Sequence, residues 1–496
     1  MLPFQNLITT DKNILIPVFK QITNRLISLV QEGRIRPGTF LPGTRHMAEM
    51  IRVNRKTIIK VYDELIAQNW LESIPRIGYR VIPDLPVVKP RSFQPKSNFT
   101  INQKDQTDFP ACEMGKFRSF TRIDLIVDGG NPDQDLAPYK KIGKAYVEQN
   151  EIRKLNRLPG FEEDGGLKIL KRSTSNFLND TRGLNICPEE LLITSGTEMQ
   201  LYIAATLLLR PGDSAAVCEP NYFLADEIIG NTGANIVRIK IDHEGIDTDH
   251  LEEVLQKTKL KMLYIVPHQH YPTTVTMSAA RRVRLLELLA LYDFWVIEDD
   301  YEYDFHYQNS PILPLASAAH GGKIIYIGSF SKILCPSIRA GFLVASRDIV
   351  KKAVHLQRLI DLHGNSPIEY LLSQMIDSGD LTQHIKKSNK LYAQKCSFFC
   401  DLLERSLGEA VEFARPSGGM AVWLRFDDRY PVSKIIKQCA ELNLFLTGMY
   451  CESKDHINGN GLRLGFSSLS DKQMKSAVET LQKVINKMCN QREKVA

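Results

Sequence analysis

Five short stretches of this 496-residue chain carry side chains that together could do one kind of chemistry. Residues 328–341 read GSFSKILCPSIRAG, where Ser329 and Ser331 precede Lys332 and Arg339 follows seven residues after the lysine. ELLIT runs into Ser195, Gly196 and Thr197, and AAVCE into Pro220, Asn221 and Tyr222. MLYIVP runs into His268, Gln269, His270 and Tyr271, and FWVIE into Asp299, Asp300 and Tyr301. A lysine suits attack on an aldehyde. Hydroxyls, an arginine and the first N–H groups of a helix suit a phosphate, a carboxylate suits a protonated ring nitrogen, and a tyrosine offers a face for stacking. Singly, each has a plainer explanation: a solvated lysine, a helix cap, an acidic loop. Together and in strand order they meet the demands of pyridoxal 5′-phosphate, which needs a lysine Schiff base and an acidic partner for its pyridinium. Lys332 then forms the Schiff base, Ser329 and Arg339 hold the phosphate, the Gly196–Thr197 turn adds helix N–H groups, and Asp299 keeps the ring protonated. His268 and His270 could also be metal ligands, but no third ligand stands at a suitable spacing, so they are expected to shape a pocket wall and no metal is expected.

These residues need elements that bring them to one edge. From about Ile123 onward, short apolar strands (ELLIT, SAAVCE, NIVRIKI, KMLYIVP, FWVIED, KIIYIGS, GFLVA) alternate with helical stretches. Near-continuous apolar strands separated by helices predict a mostly parallel sheet covered on both faces. Ligands of such sheets sit beyond the carboxyl ends of the strands, where all five stretches fall. From about Ile368, long helices and weaker strands (GGMAVWLRF, GLRLGFSS) read as a smaller α+β lobe.

The N-terminal portion has its own punctuation. Val18, Ile22, Leu26 and Leu29 mark an amphipathic helix ending at Gly33. RPGTFLPG reads as turn, a short helix opens at Thr44, and a second helix starts after Asn54, which stands in the N-cap position. WLESIPRIGYRVI reads as two short strands around a turn at Arg76–Gly78. That order predicts a winged helix-turn-helix over residues 14–82. Residues 83–122, rich in Pro, Ser, Asn and Gln, read as a linker, leaving 123–496 for the body.

Charge separates the same regions. Residues 1–82 carry 12 Lys+Arg against 6 Asp+Glu, whereas the rest of the chain holds 51 of each. An excess confined to the first sixth of the chain suits a nucleic-acid-binding arm on a neutral body. Nine scattered cysteines without a Cys-x-x-Cys pair argue for free thiols in a reducing compartment. With no secretory leader and no apolar run long enough to span a bilayer, a cytoplasmic protein is expected.

FLPGTRHMAEMIRVNRKTIIKVYDELIAQNWLESIPRIGYRV in the first part, and GGNPDQDLAP, RPGDSAAVCEPNY, SFSKILCPSIRAG and LRLGFSS in the second, resemble the MocR/GabR group of the GntR family of bacterial regulators. The resemblance implies a winged helix joined to a fold-type-I, aminotransferase-like domain dependent on pyridoxal phosphate. It implies DNA contacts from Arg45, Arg55, Lys56 and Thr57, and from Arg76, Gly78 and Arg80 on the wing. Lys332, Asp299, Tyr222, Tyr301, Ser329 and Arg339 match its cofactor positions, and Arg463 matches the arginine that grips a substrate carboxylate. A planar guanidinium suits that task, and a structural salt bridge is the competing explanation.

The chain departs from the pattern at three places. The family's glycine after Pro-Thr is Thr274, and its His-Gln order reads Gln269-His270. The tyrosine that a neighbouring subunit lends to the phosphate is matched by Phe161, which has no hydroxyl. The GABA-responsive branch carries an arginine at the position of Leu224, so GABA is not the expected effector. The expectation is a homodimeric regulator that senses pyridoxal phosphate, or an amine or amino acid reacting with it, and answers by changing how it meets its operator. The rival is a working aminotransferase with a DNA-binding appendage. A binding module that has lost the cofactor is disfavoured by the intact Lys332, Asp299 and Arg339.

Overall fold

The computed structural model describes residues 4–11, 16–83, 125–154, 165–307, 312–362, 364–452 and 459–493. The chain divides into two compact units, 1–117 and 118–496.

In the first unit the apolar spacing of the sequence becomes a small helical core. Helices α1 (Phe4–Leu7), α2 (Val18–Gln31), α3 (Thr44–Met50) and α4 (Arg55–Ala67) accompany strands β1 (Phe40–Leu41), β2 (Leu71–Ile74) and β3 (Gly78–Val81). Ile22, Leu26 and Leu29 of α2 pack with Met47 of α3 and with Ile58, Val61 and Leu65 of α4. The side chain of Asn54 accepts a hydrogen bond from the backbone N–H of Lys56 and so caps α4. The strands form an antiparallel sheet in the order β1-β3-β2, the wing. Two features exceed the sequence expectation. RPGTFLPG, read as turn, contains β1, whose two residues pair with Tyr79 and Arg80; a strand so short shows no periodicity. Phe4 and Ile8 are buried in the same core, so the unit begins before residue 14. Apart from Pro83, the expected linker lies outside the described residues, and so does Phe161.

The second unit is built on an eight-stranded sheet. Its strands are β5 (Leu191–Thr194), β6 (Ser214–Glu219), β7 (Asn235–Asp242), β8 (Gly245–Ile246), β9 (Leu260–Ile265), β10 (Trp295–Asp299), β11 (Ile324–Ser329) and β12 (Gly341–Val344), following β4 (Leu125–Val127) in the chain. The order is β5-β12-β11-β10-β9-β6-β7-β8. β7, β6, β9, β10 and β11 are parallel, as the apolar runs predict, while β12 lies antiparallel between β11 and β5. That reversal matters for the site. Gly341 opens β12 opposite both Thr194 and Ser329, so the residues just before β12 return to the edge where β5 and β11 end. Helices cover both faces, giving one core that includes Ile203, Ala204 and Val217 and another that includes Leu263, Leu285 and Val296.

The smaller lobe has a four-stranded antiparallel sheet of β13 (Val411–Glu412), β14 (Ala421–Phe426), β16 (Tyr450–Cys451) and β17 (Gly461–Gly465) in the order β13-β14-β17-β16. β15 (Leu444–Leu446) instead pairs in parallel with β4. Its core runs from Tyr392 onward and takes in Val127 and Phe305 from upstream. Ile368, Leu371 and Leu381, past the expected boundary near 368, pack instead with Leu170, Phe177 and Phe342 of the larger body. The physical cause is topological: β4 pairs across more than three hundred residues, which no local pattern announces.

Candidate cofactor pocket and DNA-facing helix

The carboxyl ends of β5, β6, β9, β10 and β11 open on a cavity of about 320 Å³ lined by Gly129, Asn131, Thr197, Glu198, Tyr222, Tyr264, Tyr271, Asp299, Tyr301, Ser329, Ser331, Lys332 and Arg339, among others. Lys332 lies three residues past β11. Its ammonium donates to the carbonyl of Gly130 at 2.7 Å and to Asn131 Oδ1 at 3.1 Å. Burial lowers its pKa, opposed by the negative charge of Glu302 and Asp128, so the neutral amine is reached at lower pH than for an ordinary lysine.

Asp299 ends β10 and is buried. Oδ2 accepts a bond of 2.9 Å from Tyr264 of β9, while Oδ1 has no partner and no exposure. Burial pushes the carboxyl from an ordinary 3.8 up to about 8, with Tyr264 opposing and Asp300 and Glu198 adding. Asp300, the next residue, takes a bond from Tyr326 at 2.9 Å and lies 3.1 Å from His268 Nδ1. His268 Nε2 lies 2.6 Å from the carbonyl of Ile312. Neither His268 nor His270 lines this cavity, while His270 lines a small separate one with Val275 and Met277. His270, buried and driven down to about 3 by desolvation, lies 2.9 Å from Thr273 Oγ1.

Gly196 and Thr197 start α7 (Thr197–Leu208), after α5 (Tyr139–Lys154) and α6 (Lys168–Arg182). Gly196 has φ of 109°, and a Cβ there would come within 2.4 Å of Arg339 Nη2. Only glycine lets the guanidinium lie so close to this helix start. Arg339 Nη2 donates to Glu198 Oε2 at 2.7 Å, and Tyr222 donates to Glu198 Oε1 at 3.3 Å. Ser195 donates to Asp361 at 2.7 Å, and Ser331 donates back to the carbonyl of Ile338. The ring of Tyr222 meets that of Tyr271 edge-on at 5.1 Å.

Arg463, on β17, lies behind the cavity wall, in contact with three of its lining residues, Gly129, Tyr271 and Tyr301. Its side chain is 0 % exposed. It donates to the carbonyls of Gly129 (2.6 Å) and Pro272 (3.1 Å) and to Tyr301 Oη (3.2 Å), and its guanidinium lies 4.8 Å from the Tyr271 ring. Glu302, also fully buried, lies 3.6 Å away. Tyr301 in turn donates to the carbonyl of Gln269. In the departing loop Thr274 has φ of +60°, the left-handed region that glycine favours. The turn is closed by His270 N–H to Val275 O (2.8 Å) and Thr274 N–H to His270 O (2.6 Å). The loop keeps a glycine's backbone without a glycine.

In the first unit Arg45 lies exposed near the start of α3, and Arg55 and Lys56 lie exposed at the start of α4, with Thr57 beside them. Arg55 Nε donates to Thr44 Oγ1 at 3.5 Å, joining the two helix starts. Arg76 (φ 65°) and Gly78 (φ 134°) make the wing turn, whereas Arg80 is tied to Glu72 at 2.7 Å.

The family model described as "Aminotransferase class I and II" matches residues 127–481, and "Bacterial regulatory proteins, gntR family" matches residues 19–81. The chain belongs to the aminotransferase class I and II family. It is 25% identical over 485 residues to "Probable rhizopine catabolism regulatory protein MocR" of Rhizobium meliloti, covering 96% of this chain and 95% of that one. It is 26% identical over 367 residues to aromatic-amino-acid aminotransferase 1 of Thermococcus litoralis, covering 73% of this chain and 88% of that one. Among solved structures, the kynurenine aminotransferase of Pyrococcus horikoshii superposes with a TM-score of 0.67 at 27% identity, covering 74% of this chain and 92% of that one. The regulator aligns over nearly the whole of both chains, and the aminotransferases over about three quarters of this one. No helix among the described residues is long and apolar enough to cross a membrane.

Within this aminotransferase class I and II body, Tyr264, Asn131 and Glu198 are among the pocket residues that no sequence motif singles out. Tyr264 sits inside an apolar strand, and nothing but the pairing of β9 with β10 reveals that it reaches Asp299. Asn131 lay in the quoted GGNP stretch, but its approach to Lys332 spans 201 residues. Glu198 follows Thr197 directly and reads as an ordinary first-turn acid.

Proposed function

We propose that this chain is a DNA-binding transcriptional regulator whose aminotransferase-like body binds pyridoxal 5′-phosphate and senses it, or an amine or amino acid that reacts with it. One observation carries the reading. A half-buried lysine ammonium, a buried carboxylate oxygen with no hydrogen-bond partner, and an arginine held over a glycine-started helix converge on one cavity, in a chain that carries a winged helix. The unpartnered Oδ1 of Asp299 fits a protonated ring nitrogen, because burying an unpaired carboxylate oxygen is costly unless a donor arrives. The turn at Gly196, the hydroxyl of Ser329 and Arg339 fit a phosphate.

Pyridoxal phosphate, when bound, supplies an aldehyde that captures amines and a ring that accepts electrons. The remaining work falls to the chain's own groups. Lys332, with its pKa lowered by burial, gives up its proton more readily than an ordinary lysine. Asp299 returns to its ionised form when a cation faces it, with Tyr264 holding its other oxygen. Tyr222 and Tyr271 wall the cavity against water. An effector carboxylate would reach Arg463 only by displacing its bonds to Pro272 and Tyr301. In the other unit, Arg45, Arg55, Lys56 and Thr57 would face the operator, with Arg76 and Gly78 on the wing. A homodimer would present two such units, as paired half-sites require.

The test is spectroscopic and then functional. Purified protein with added cofactor should show a visible absorption band, and Lys332→Ala should abolish it. Protection of operator DNA should differ with and without pyridoxal phosphate. A colourless wild type with identical footprints would overturn the proposal.

A further inference from the structure

The phosphate end of the cavity contains an acid that the cofactor reading does not use. Glu198 is the second residue of α7, so its carboxylate sits at the positive end of the same helix whose N–H groups would serve the ligand. Its two oxygens hold Arg339 at 2.7 Å and Tyr222 at 3.3 Å. Burial alone would raise its pKa, yet the bonds from Arg339, its own backbone N–H and Tyr222 bring it below the ordinary carboxylate range, so it is anionic at neutral pH. Arg339 cannot retreat from it toward the helix, since Gly196 already lies against the guanidinium. Next door, the hydroxyl of Ser195 is committed to Asp361 at 2.7 Å. The arginine of the anion cradle is therefore occupied by an acid of the chain itself.

Resting on the cofactor reading above, we infer that Glu198 is a built-in competitor for the phosphate group. It holds Arg339 in the ligand-free protein and must yield it when a phosphate arrives, which lowers affinity for phosphorylated ligand specifically. A phosphate oxygen needs the same charge-assisted bond that Glu198 already makes. A phosphate seated on Arg339 would also lie beside a carboxylate, and like charges at such range repel. Glu198 is in this sense a specificity-determining residue. It makes occupancy of the cavity follow ligand concentration, which a sensor requires and a permanently loaded enzyme does not.

The experiment compares pyridoxal phosphate with pyridoxal, which shares the ring and aldehyde but lacks the phosphate. Full-length, cofactor-free wild type, Glu198→Gln and Glu198→Ala are titrated with each ligand while the visible band is followed. Both variants should bind pyridoxal phosphate about tenfold more tightly, and pyridoxal should show no comparable gain. Calorimetry with inorganic phosphate should show the same tightening without any band. Unchanged or weaker binding of pyridoxal phosphate would overturn the inference, as would equal tightening for pyridoxal, which would place the effect at the ring. If the wild type shows no band with either ligand, the cofactor reading fails, while the phosphate calorimetry still decides whether Glu198 competes for an anion. Unaltered circular dichroism excludes misfolding as the cause of any loss.

Discussion

Asp299 illustrates how one atom's surroundings set a function. Its Oδ2 is held by Tyr264 and its buried Oδ1 has no hydrogen-bond partner, and burial drives the group up to about 8. An acid whose folded pKa is raised binds more protons folded than unfolded between about pH 4 and about pH 8. Its stabilising contribution is full below the unfolded value and is lost as pH climbs through that window. Glu298, also pushed up to about 8 by burial and by Asp300, adds to the same slope. Asp299→Asn has no charge to bury. Cofactor-free Asp299→Asn should therefore come nearest to the wild type at or below about pH 4 and exceed its Tm by about 3 °C near pH 8, measured by thermal melts across the range. An equal difference at both pH values would contradict the assignment.

Two elements carry predictions of their own. The first turn of α4 presents Arg55 and Lys56 behind the Asn54 cap. Arg55→Ala should weaken operator binding at least tenfold and flatten the dependence of affinity on salt, because one phosphate contact fewer releases fewer counterions. Binding isotherms at several salt concentrations would check both. In the loop between β9 and the following helix, Thr274 occupies a left-handed backbone that a β-branched side chain adopts only under strain. Thr274→Gly should stabilise the protein by about 1 kcal/mol, seen as a raised urea midpoint with unchanged slope. It should leave cofactor affinity nearly unaltered, since Thr274 does not line the cavity.

At the scale of the molecule, one chain joins two ligands, and linkage constrains what can be observed. If pyridoxal phosphate changes operator affinity by some factor, operator DNA must change pyridoxal phosphate affinity by the same factor. Titrating the cofactor with and without saturating operator, and operator with and without saturating cofactor, should return equal ratios within error. Couplings of this kind commonly amount to about 5–150-fold. Unequal ratios would mean that the two measurements do not report one coupled equilibrium.

Much of this protein was legible before any coordinates. The order of helices, cap and wing in the first unit, the apolar strands of the second and the lysine, aspartate and arginine at their ends all follow from residue type and short-range spacing. Propensity, capping and burial act over a few residues, and such signals survive in a linear string. What the string could not carry was the meeting of distant groups. The reversed β12 that returns Arg339 to the helix start, Tyr264 beneath Asp299, Asn131 beside Lys332, and β4 completing a lobe built mostly from the far end of the chain all depend on strand order and register. The same holds for Glu198 and Arg463, whose partners were unreadable from sequence. An acid at a helix start and an arginine on a strand gain their roles only from what the fold lays against them, because the energy of a buried charge is set by its neighbours in space.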